Sequence, residues 1–362
     1  MNMKVIFIIK ELDGGGGPQS TFDIMDSISI YKIESESYIF DRKKGNKYWA
    51  FFGFLRNLSK ELPKGHNILL INSAGFYVGF IISLAVLVMK SITNKRLHYF
   101  QIYHNRIKVD HKSRIYNSIR ILLSLFTATV SDKGICVSEG LLNEIKDSFK
   151  FSKKLIKKLT FIYNPTRSFK MQEKLENKYP YNGKIILSIG RLCHQKGFDT
   201  LINAFVRLEQ QLSEEIHLVI VGDGEEREKL QKMADSHVMQ NIHLWGYDDD
   251  IEFHYRNADV FVLPSRHEGF GLVLVEAMSF HIPVLSTNCP YGPSEILDGG
   301  SLGCLVPVND SNMMCDGIKE ILLYTPEQKK IIVHKAFEKT KVFNKKSVGE
   351  KYVKLINSLE LN

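Results

Sequence analysis

Short apolar runs separated by longer amphipathic stretches set the rhythm of this chain. Residues 4–9, Asn67-Ile-Leu-Leu-Ile71, Leu97-His-Tyr-Phe-Gln-Ile-Tyr103 and Gly134-Ile-Cys-Val-Ser138 are short and rich in β-branched and aromatic residues, as buried strands are. The second half repeats the pattern with Lys184-Ile-Ile-Leu-Ser-Ile189, His217-Leu-Val-Ile-Val221, Ile242-His-Leu-Trp245, Val260-Phe-Val-Leu263 and Pro283-Val-Leu-Ser286. Helical periodicity over 198–210 and 225–234 separates the first of these runs. Strands alternating with helices predict an α/β protein with parallel, doubly wound sheets. Ligands then belong at the carboxyl ends of the strands.

A chain of 362 residues is too long for one compact core and predicts two domains. Asn164-Pro165 closes the first half, and polar sequence precedes the next strand. The boundary is placed at an N-terminal domain of 1–168 and a C-terminal domain of 169–343, with a basic amphipathic helix over 344–362. The apolar run at 3–9 is short, and Glu11 and Asp13 follow at once. It reads as a first buried strand rather than a signal peptide. The run 74–89 is almost wholly apolar but short of the roughly 20 residues that span a bilayer, and reads as a buried core helix.

Composition adds little, but charge adds something. Apolar residues make up 44% and charged residues 24%, as in ordinary soluble globular proteins. The five cysteines show neither paired metal spacing nor a disulfide framework, which suits a reducing cytoplasm. Residues 1–168 hold 26 Lys+Arg against 13 Asp+Glu, while the remainder holds 22 against 27. A basic first half suits an anionic surface, lipid or nucleic acid. Arg106, Lys108, Lys112, Arg114 and Arg120 alternate there with Ile107, Ile115, Tyr116, Ile119, Ile121, Leu122 and Leu123. Such a stretch fits a membrane surface or a plain solvated helix face.

Four constellations carry candidate chemistry. In Ser188-Ile-Gly-Arg-Leu-Cys-His-Gln-Lys-Gly197, a strand ends at Gly190 and delivers Arg191 and Lys196 into a loop. A guanidinium fork and an ammonium together can neutralise a diphosphate. In Ser265-Arg-His-Glu-Gly-Phe-Gly-Leu-Val-Leu-Val-Glu276, a strand meets a helix through a Gly-rich turn. That geometry aims backbone N–H groups and a positive dipole end at one spot. Glu268 lies in the turn and Glu276 on the helix; Glu268 also reads simply as a capping residue. Gly14-Gly-Gly-Gly-Pro-Gln19 allows close backbone approach but lacks both the dinucleotide and the P-loop patterns. His104 follows the strand ending at Tyr103, where it is either structural or a donor to a ligand hydroxyl.

The Glu-x7-Glu pattern with Gly-Phe-Gly between, together with the Arg191–Lys196 loop, resembles the retaining glycosyltransferase family of the GT-B fold. Many bacterial envelope polysaccharide transferases belong to it. The resemblance implies two Rossmann-like domains, with the last helix crossing back onto the N-terminal domain. It implies a UDP-linked hexose or N-acetylhexosamine donor and a lipid-linked saccharide acceptor such as a polyprenyl-diphosphate oligosaccharide. Retention would come from a front-face departure of the diphosphate. Glu276 should hold the ribose hydroxyls, with Glu268, Arg191, Lys196 and His104 at the reacting centre. Gly15, Gly16, Gly190, Gly222, Tyr247, Gly269, Phe270, Gly271 and Leu272 should line the donor. Val137-Ser-Glu139, Tyr163-Asn-Pro165 and Cys289-Pro-Tyr-Gly-Pro-Ser-Glu-Ile296 resemble further family landmarks.

Neither a metal nor nucleic acid is expected. Asp248-Asp-Asp250 imitates the Asp-x-Asp of a different fold and opens a helix, where Asp is a capping residue. The expected location is the cytoplasmic face of the cell membrane, peripherally bound. Three rivals stand beside this reading: a nucleotide-sugar epimerase of the same fold, a glycoside hydrolase using Glu268 and Glu276, and a non-catalytic binding partner.

Overall fold

A computed structural model describes residues 3–10, 16–40, 53, 56, 67–93, 97–107, 113–167, 169, 179–180, 182–236 and 241–359. The chain divides into two compact units, Met1–Pro165 with Lys345–Asn362, and Thr166–Asn344.

Unit 1 is built on β1 (Met3–Lys10), β2 (Ser35–Phe40), β3 (Asn67–Asn72), β4 (Leu97–Tyr103), β5 (Lys133–Cys136) and β6 (Leu159–Phe161), in the order β2-β1-β3-β4-β5-β6. Every pairing is parallel. The central strands are apolar on both faces because helices cover both. Ile68, Leu70 and Tyr99 meet Val78, Ile82 and Val86 of the helix Phe76–Thr93 in one cluster. The following helix, Arg114–Val130, starts where Ser113 accepts from the Tyr116 N–H, a serine cap. The last helix, Lys345–Asn357, packs on Gly16–Ser29 of the same unit. Lys345 pairs with Asp23 at 3.1 Å and Asp26 at 2.8 Å. Gly349 is needed there, since a Cβ would stand 2.2 Å from the Ser27 carbonyl oxygen.

Unit 2 is a second parallel sheet of β7 (Lys184–Ile189), β8 (Ile216–Val221), β9 (Ile242–Gly246), β10 (Val260–Leu263), β11 (Val284–Thr287) and β12 (Cys304–Val306), ordered β12-β11-β10-β7-β8-β9. The chain leaves β7 toward β8 and β9, then returns to β7's other side with β10. The switch point therefore lies between β7 and β10, where an open α/β sheet places its ligand crevice.

Three strands, β2, β6 and β12, lie outside those expected from the apolar runs. The helix expected over 225–234 runs Arg227–Asp235. The first helix begins at Gly16, so the glycine loop is shorter than its sequence suggests; Gly15 lies outside the described residues. The helix Phe76–Thr93 is less buried than expected. Tyr77, Leu84, Leu87 and Val88 are 39–48% exposed, because only one face of the helix meets the sheet. Among the described residues, no helix is long and apolar enough to cross a membrane.

Candidate functional site

The loops leaving β7 and β10 flank the switch point of unit 2 and are stitched together. Arg266 N–H donates to the Gln195 carbonyl at 2.8 Å, and Gln195 Nε2 donates to the His267 carbonyl at 2.8 Å. Arg266 also reaches the His194 carbonyl at 2.7 Å and Asp199 at 2.9 Å. Gly197 closes the first loop at φ 68°, and a Cβ there would stand 2.2 Å from the Pro264 carbonyl oxygen. Only glycine suits both the left-handed backbone and the close approach.

This stitching brings Lys196 Nζ to 2.6 Å from Glu268 Oε1, with the two side chains 18% and 7% exposed. Ser265 Oγ donates to the same oxygen at 2.6 Å, and the Thr287 hydroxyl donates to the Ser265 carbonyl. A buried carboxylate with a charged partner and a hydroxyl donor is satisfied and rigid. Nearby, burial and the Glu268 charge push the Cys289 thiol up to about 12, so it is no nucleophile at neutral pH.

Arg191 leaves the same loop but goes elsewhere. Its guanidinium pairs with Glu225 at 3.2 Å, both side chains about 60% exposed. The structure thus brings Lys196 and Glu268 together and leaves Arg191 on the surface. Gly190 and Gly222 serve packing first: at φ 139°, a Cβ on Gly222 would come 2.0 Å from the Gly190 carbonyl oxygen.

The helix Leu272–Ser279 begins after Gly271 at φ 98°. Gly269 and Leu272 flank this turn, while the Phe270 side chain is buried against Phe343, 5.4 Å between ring centroids. Only the backbone of Phe270 is therefore left for a ligand. Glu276 is 2% exposed, and Arg167 Nε donates to its Oε1 at 2.9 Å. Tyr255 OH donates to Oε2, also at 2.9 Å. Burial and this carboxylate push the Tyr255 phenol well up. Tyr247 is 74% exposed and donates to Asp249 at 2.7 Å.

The Asp248-Asp-Asp250 run has structural work. Asp250 caps the helix Ile251–Arg256 by accepting from Phe253 N–H. Asp248 accepts from Trp245 Nε1 at 3.1 Å and lies 3.1 Å from His254 Nε2. His254 in turn shares a 2.6 Å bond with the Tyr179 hydroxyl.

In unit 1, His104 lies at the carboxyl end of β4 and shares a 2.6 Å bond through Nε2 with Ser73 Oγ. Ser73 follows β3 and also meets the Thr21 hydroxyl of the first helix. Burial holds the imidazole down to about 4, so it is neutral at pH 7. Gly16 starts that same helix. Sequence reasoning missed Arg167, Tyr255, Ser265, Ser73 and Thr21. Of these, Ser265 opened the noted Glu268–Glu276 run without a role being given to it, and Arg167 stood beside a noted landmark, Tyr163-Asn-Pro165.

Two Rossmann-like parallel sheets of six strands are the domain pair of GT-B glycosyltransferases. Residues 170–336 match the family model described as Glycosyl transferases group 1. An uncharacterized glycosyltransferase of Haemophilus influenzae is 28% identical, covering 86% of this chain and 80% of that protein. The N-acetylgalactosamine-N,N'-diacetylbacillosaminyl-diphospho-undecaprenol 4-alpha-N-acetylgalactosaminyltransferase of Campylobacter jejuni is 28% identical, covering 60% of this chain and 58% of its own length. The crystal structure of Anabaena Alr3699/HepE in complex with UDP and glucose matches with a TM-score of 0.78, covering 98% of this chain and 100% of that one. At 16% identity, that match is a likeness of fold. The family-model match lies within unit 2, and the two relatives are glycosyltransferases to which this chain is similar.

Proposed function

We propose that the protein moves a hexose or N-acetylhexosamine from a UDP-sugar onto a lipid-linked saccharide, with retention at the anomeric carbon, during assembly of a bacterial surface polysaccharide (O-antigen, capsule or lipopolysaccharide). The observation that carries this reading is the Lys196–Glu268 pair, held at the switch point by two mutually bonded loops. A fixed ammonium there suits a departing diphosphate, since charge placed before reaction costs no reorganisation during it. The Gly271 turn would present backbone N–H groups to the phosphates and sugar. Arg191 would turn from Glu225 to add a second cation. Glu276 and Tyr247 would take the ribose and base, and Gly190 and Gly222 would keep side chains out of the way. The Glu268 oxygen bonded to Lys196 and Ser265 suits a supporting carboxylate better than a nucleophile. A front-face departure, in which the leaving phosphate takes the proton of the incoming hydroxyl, follows from that. His104, neutral and bonded to Ser73, is proposed to meet a hydroxyl of the sugar or acceptor. No metal is assigned a part.

The lipid-linked acceptor is supported by the Campylobacter relative, whose name carries a diphospho-undecaprenol substrate, and UDP by the complex of the Anabaena protein. Such an acceptor lies in a membrane, and we assign this protein to its cytoplasmic face as a peripheral protein. Unit 1 supports this with 29 Lys+Arg against 15 Asp+Glu, while unit 2 holds 19 against 25.

The deciding assay is UDP release from a panel of UDP-hexoses and UDP-N-acetylhexosamines, with and without a lipid-diphosphate-linked saccharide. Release from one donor, raised by the acceptor, is expected, with the anomeric configuration of the product read by NMR. An inverted product refutes retention. Absence of both release and UDP binding refutes the nucleotide site. A product formed without acceptor favours an epimerase.

A further inference from the structure

Glu276, assigned above to the ribose hydroxyls, is covered by two groups of different character. Tyr255 is wholly buried, and its hydroxyl also lies 3.2 Å from the Val273 carbonyl oxygen. It is part of the core. Arg167 is 43% exposed and holds the Oε1 oxygen through Nε at 2.9 Å. Its backbone is anchored on both sides. Thr166 N–H donates to the Phe343 carbonyl at 2.8 Å, and the Phe169 ring meets Phe280 at 4.8 Å and Tyr255 at 6.0 Å. The Arg167 charge also reaches Tyr247, where it opposes the upward push that Asp249 gives the phenol. One half-exposed guanidinium therefore holds Glu276 and is felt electrostatically at Tyr247, the two residues assigned to the nucleoside.

We propose that Arg167 sets the affinity of the nucleotide site by competing with the ribose diol for Glu276, so that a nucleotide binds only as Arg167 yields. The proposal rests on the assignment of Glu276 to the ribose. Its chemistry is direct. A carboxylate 2% exposed offers few approaches, and Arg167 covers it from the side that faces water. Hydrogen bonds between charged partners are about twice as strong as neutral ones, so a diol does not displace a guanidinium without loss. Movement of the guanidinium off Glu276 into water is tolerable because its side chain is already 43% exposed. A site engaged by Arg167 in about nine molecules of ten binds its ligand about tenfold more weakly than the open site.

The test compares uridine, UDP and 2′,3′-dideoxy-UDP by titration calorimetry on the full chain and its Arg167→Gln variant. Glutamine keeps a donor near Glu276 but removes the charge. Tightening of uridine and UDP by the same factor, about tenfold, is expected. Dideoxy-UDP makes no demand on Glu276, so its affinity should not change. Arg167→Lys, which keeps a cation and its fold, should fall between. Weaker UDP with unchanged uridine would overturn the proposal and make Arg167 a phosphate ligand. Weaker binding of both would make it a support for Glu276, and no change in either would remove it from the site. The wild-type chain separates the two assignments. If it binds UDP and dideoxy-UDP equally, the ribose assignment fails and the competition with it. If it prefers UDP and Arg167→Gln changes nothing, only the competition fails.

Discussion

Lys196 and Arg191 leave one loop, yet burial divides their roles. Lys196 is 18% exposed and bonded to Glu268; Arg191 is 60% exposed on Glu225. Lys196→Ala should lower kcat about 10²–10³-fold, the usual loss for one fixed donor to a developing charge. It should also cost about 3 kcal/mol of stability by leaving a buried carboxylate unpaired. Arg191→Ala should slow turnover as well but leave stability within about 1 kcal/mol, since exposed ion pairs contribute little. UDP-release kinetics and urea unfolding check both; turnover that survives both substitutions sinks the diphosphate assignment. His104 makes a pH prediction. Its folded value of about 4 lies below the ordinary 6.5, so the unfolded chain binds the extra proton between the two. Its contribution is full above pH 6.5 and is lost as pH falls toward 4, by up to ~3 kcal/mol. His104→Gln should flatten the unfolding profile in that window relative to wild type, and parallel profiles would refute it. At this scale the sequence showed Glu268, Lys196 and Glu276 because each sits in a local strand–turn–helix pattern. It could not show Arg167 or Tyr255 beside Glu276. That meeting depends on how distant segments pack, and neither residue belongs to a local motif.

The elements were legible wherever a strand is covered on both faces. Their apolar runs stand out, and β4 and β10 fall on the expected residues. The missed strands share a cause, since β2, β6 and β12 are all sheet edges. Edge strands are short and half-solvated, so Ser35-Glu-Ser-Tyr-Ile-Phe40 looks no more like a strand than like a loop. The helices Phe76–Thr93 and Arg114–Val130 show the converse limit: apolar composition does not say which way a side chain faces. Ile115, Ile119 and Leu122 are 74%, 45% and 65% exposed and follow the spacing of one helix face. Phe126 continues that face and meets Phe80 at 5.1 Å. Phe80 in turn shares its face with Leu84 and Leu87, so the two stripes adjoin. An apolar stripe on a unit with excess positive charge suits the surface of an anionic membrane. Replacing Ile115, Ile119 and Leu122 together by Ser should weaken binding to phosphatidylglycerol-containing vesicles about tenfold or more by cosedimentation. The wild-type chain's binding should also fall steeply with salt. A triple variant that binds as the wild type does would leave the stripe without this role.

On the scale of the whole molecule, two sheets and the return of the last helix followed from strand rhythm and family resemblance. The unequal charge of the two units was also open to counting. The join was not placed to the residue, because it lies in sequence without periodicity. The last helix buries Val348, Tyr352 and Ile356 in unit 1. Tyr352→Ala should therefore cost unit 1 about 3 kcal/mol or more while leaving UDP affinity, a property assigned to unit 2, as in wild type. Urea unfolding with parallel UDP titration tests this. Loss of UDP affinity alongside stability would show that the units do not keep their properties apart.

The docking of Lys345–Asn357 on Gly16–Ser29 also fixes an order of events on the ribosome. Domains ordinarily fold as they emerge, the first before the second. Here the helix that covers Gly16–Ser29 is translated after the whole of unit 2, so the packing of unit 1 is completed only after unit 2 has been made. Until then the side of Gly16–Ser29 that receives Gly349 is uncovered. A nascent chain stalled just before residue 345 would present a complete second unit and a sticky first one, a natural substrate for a chaperone.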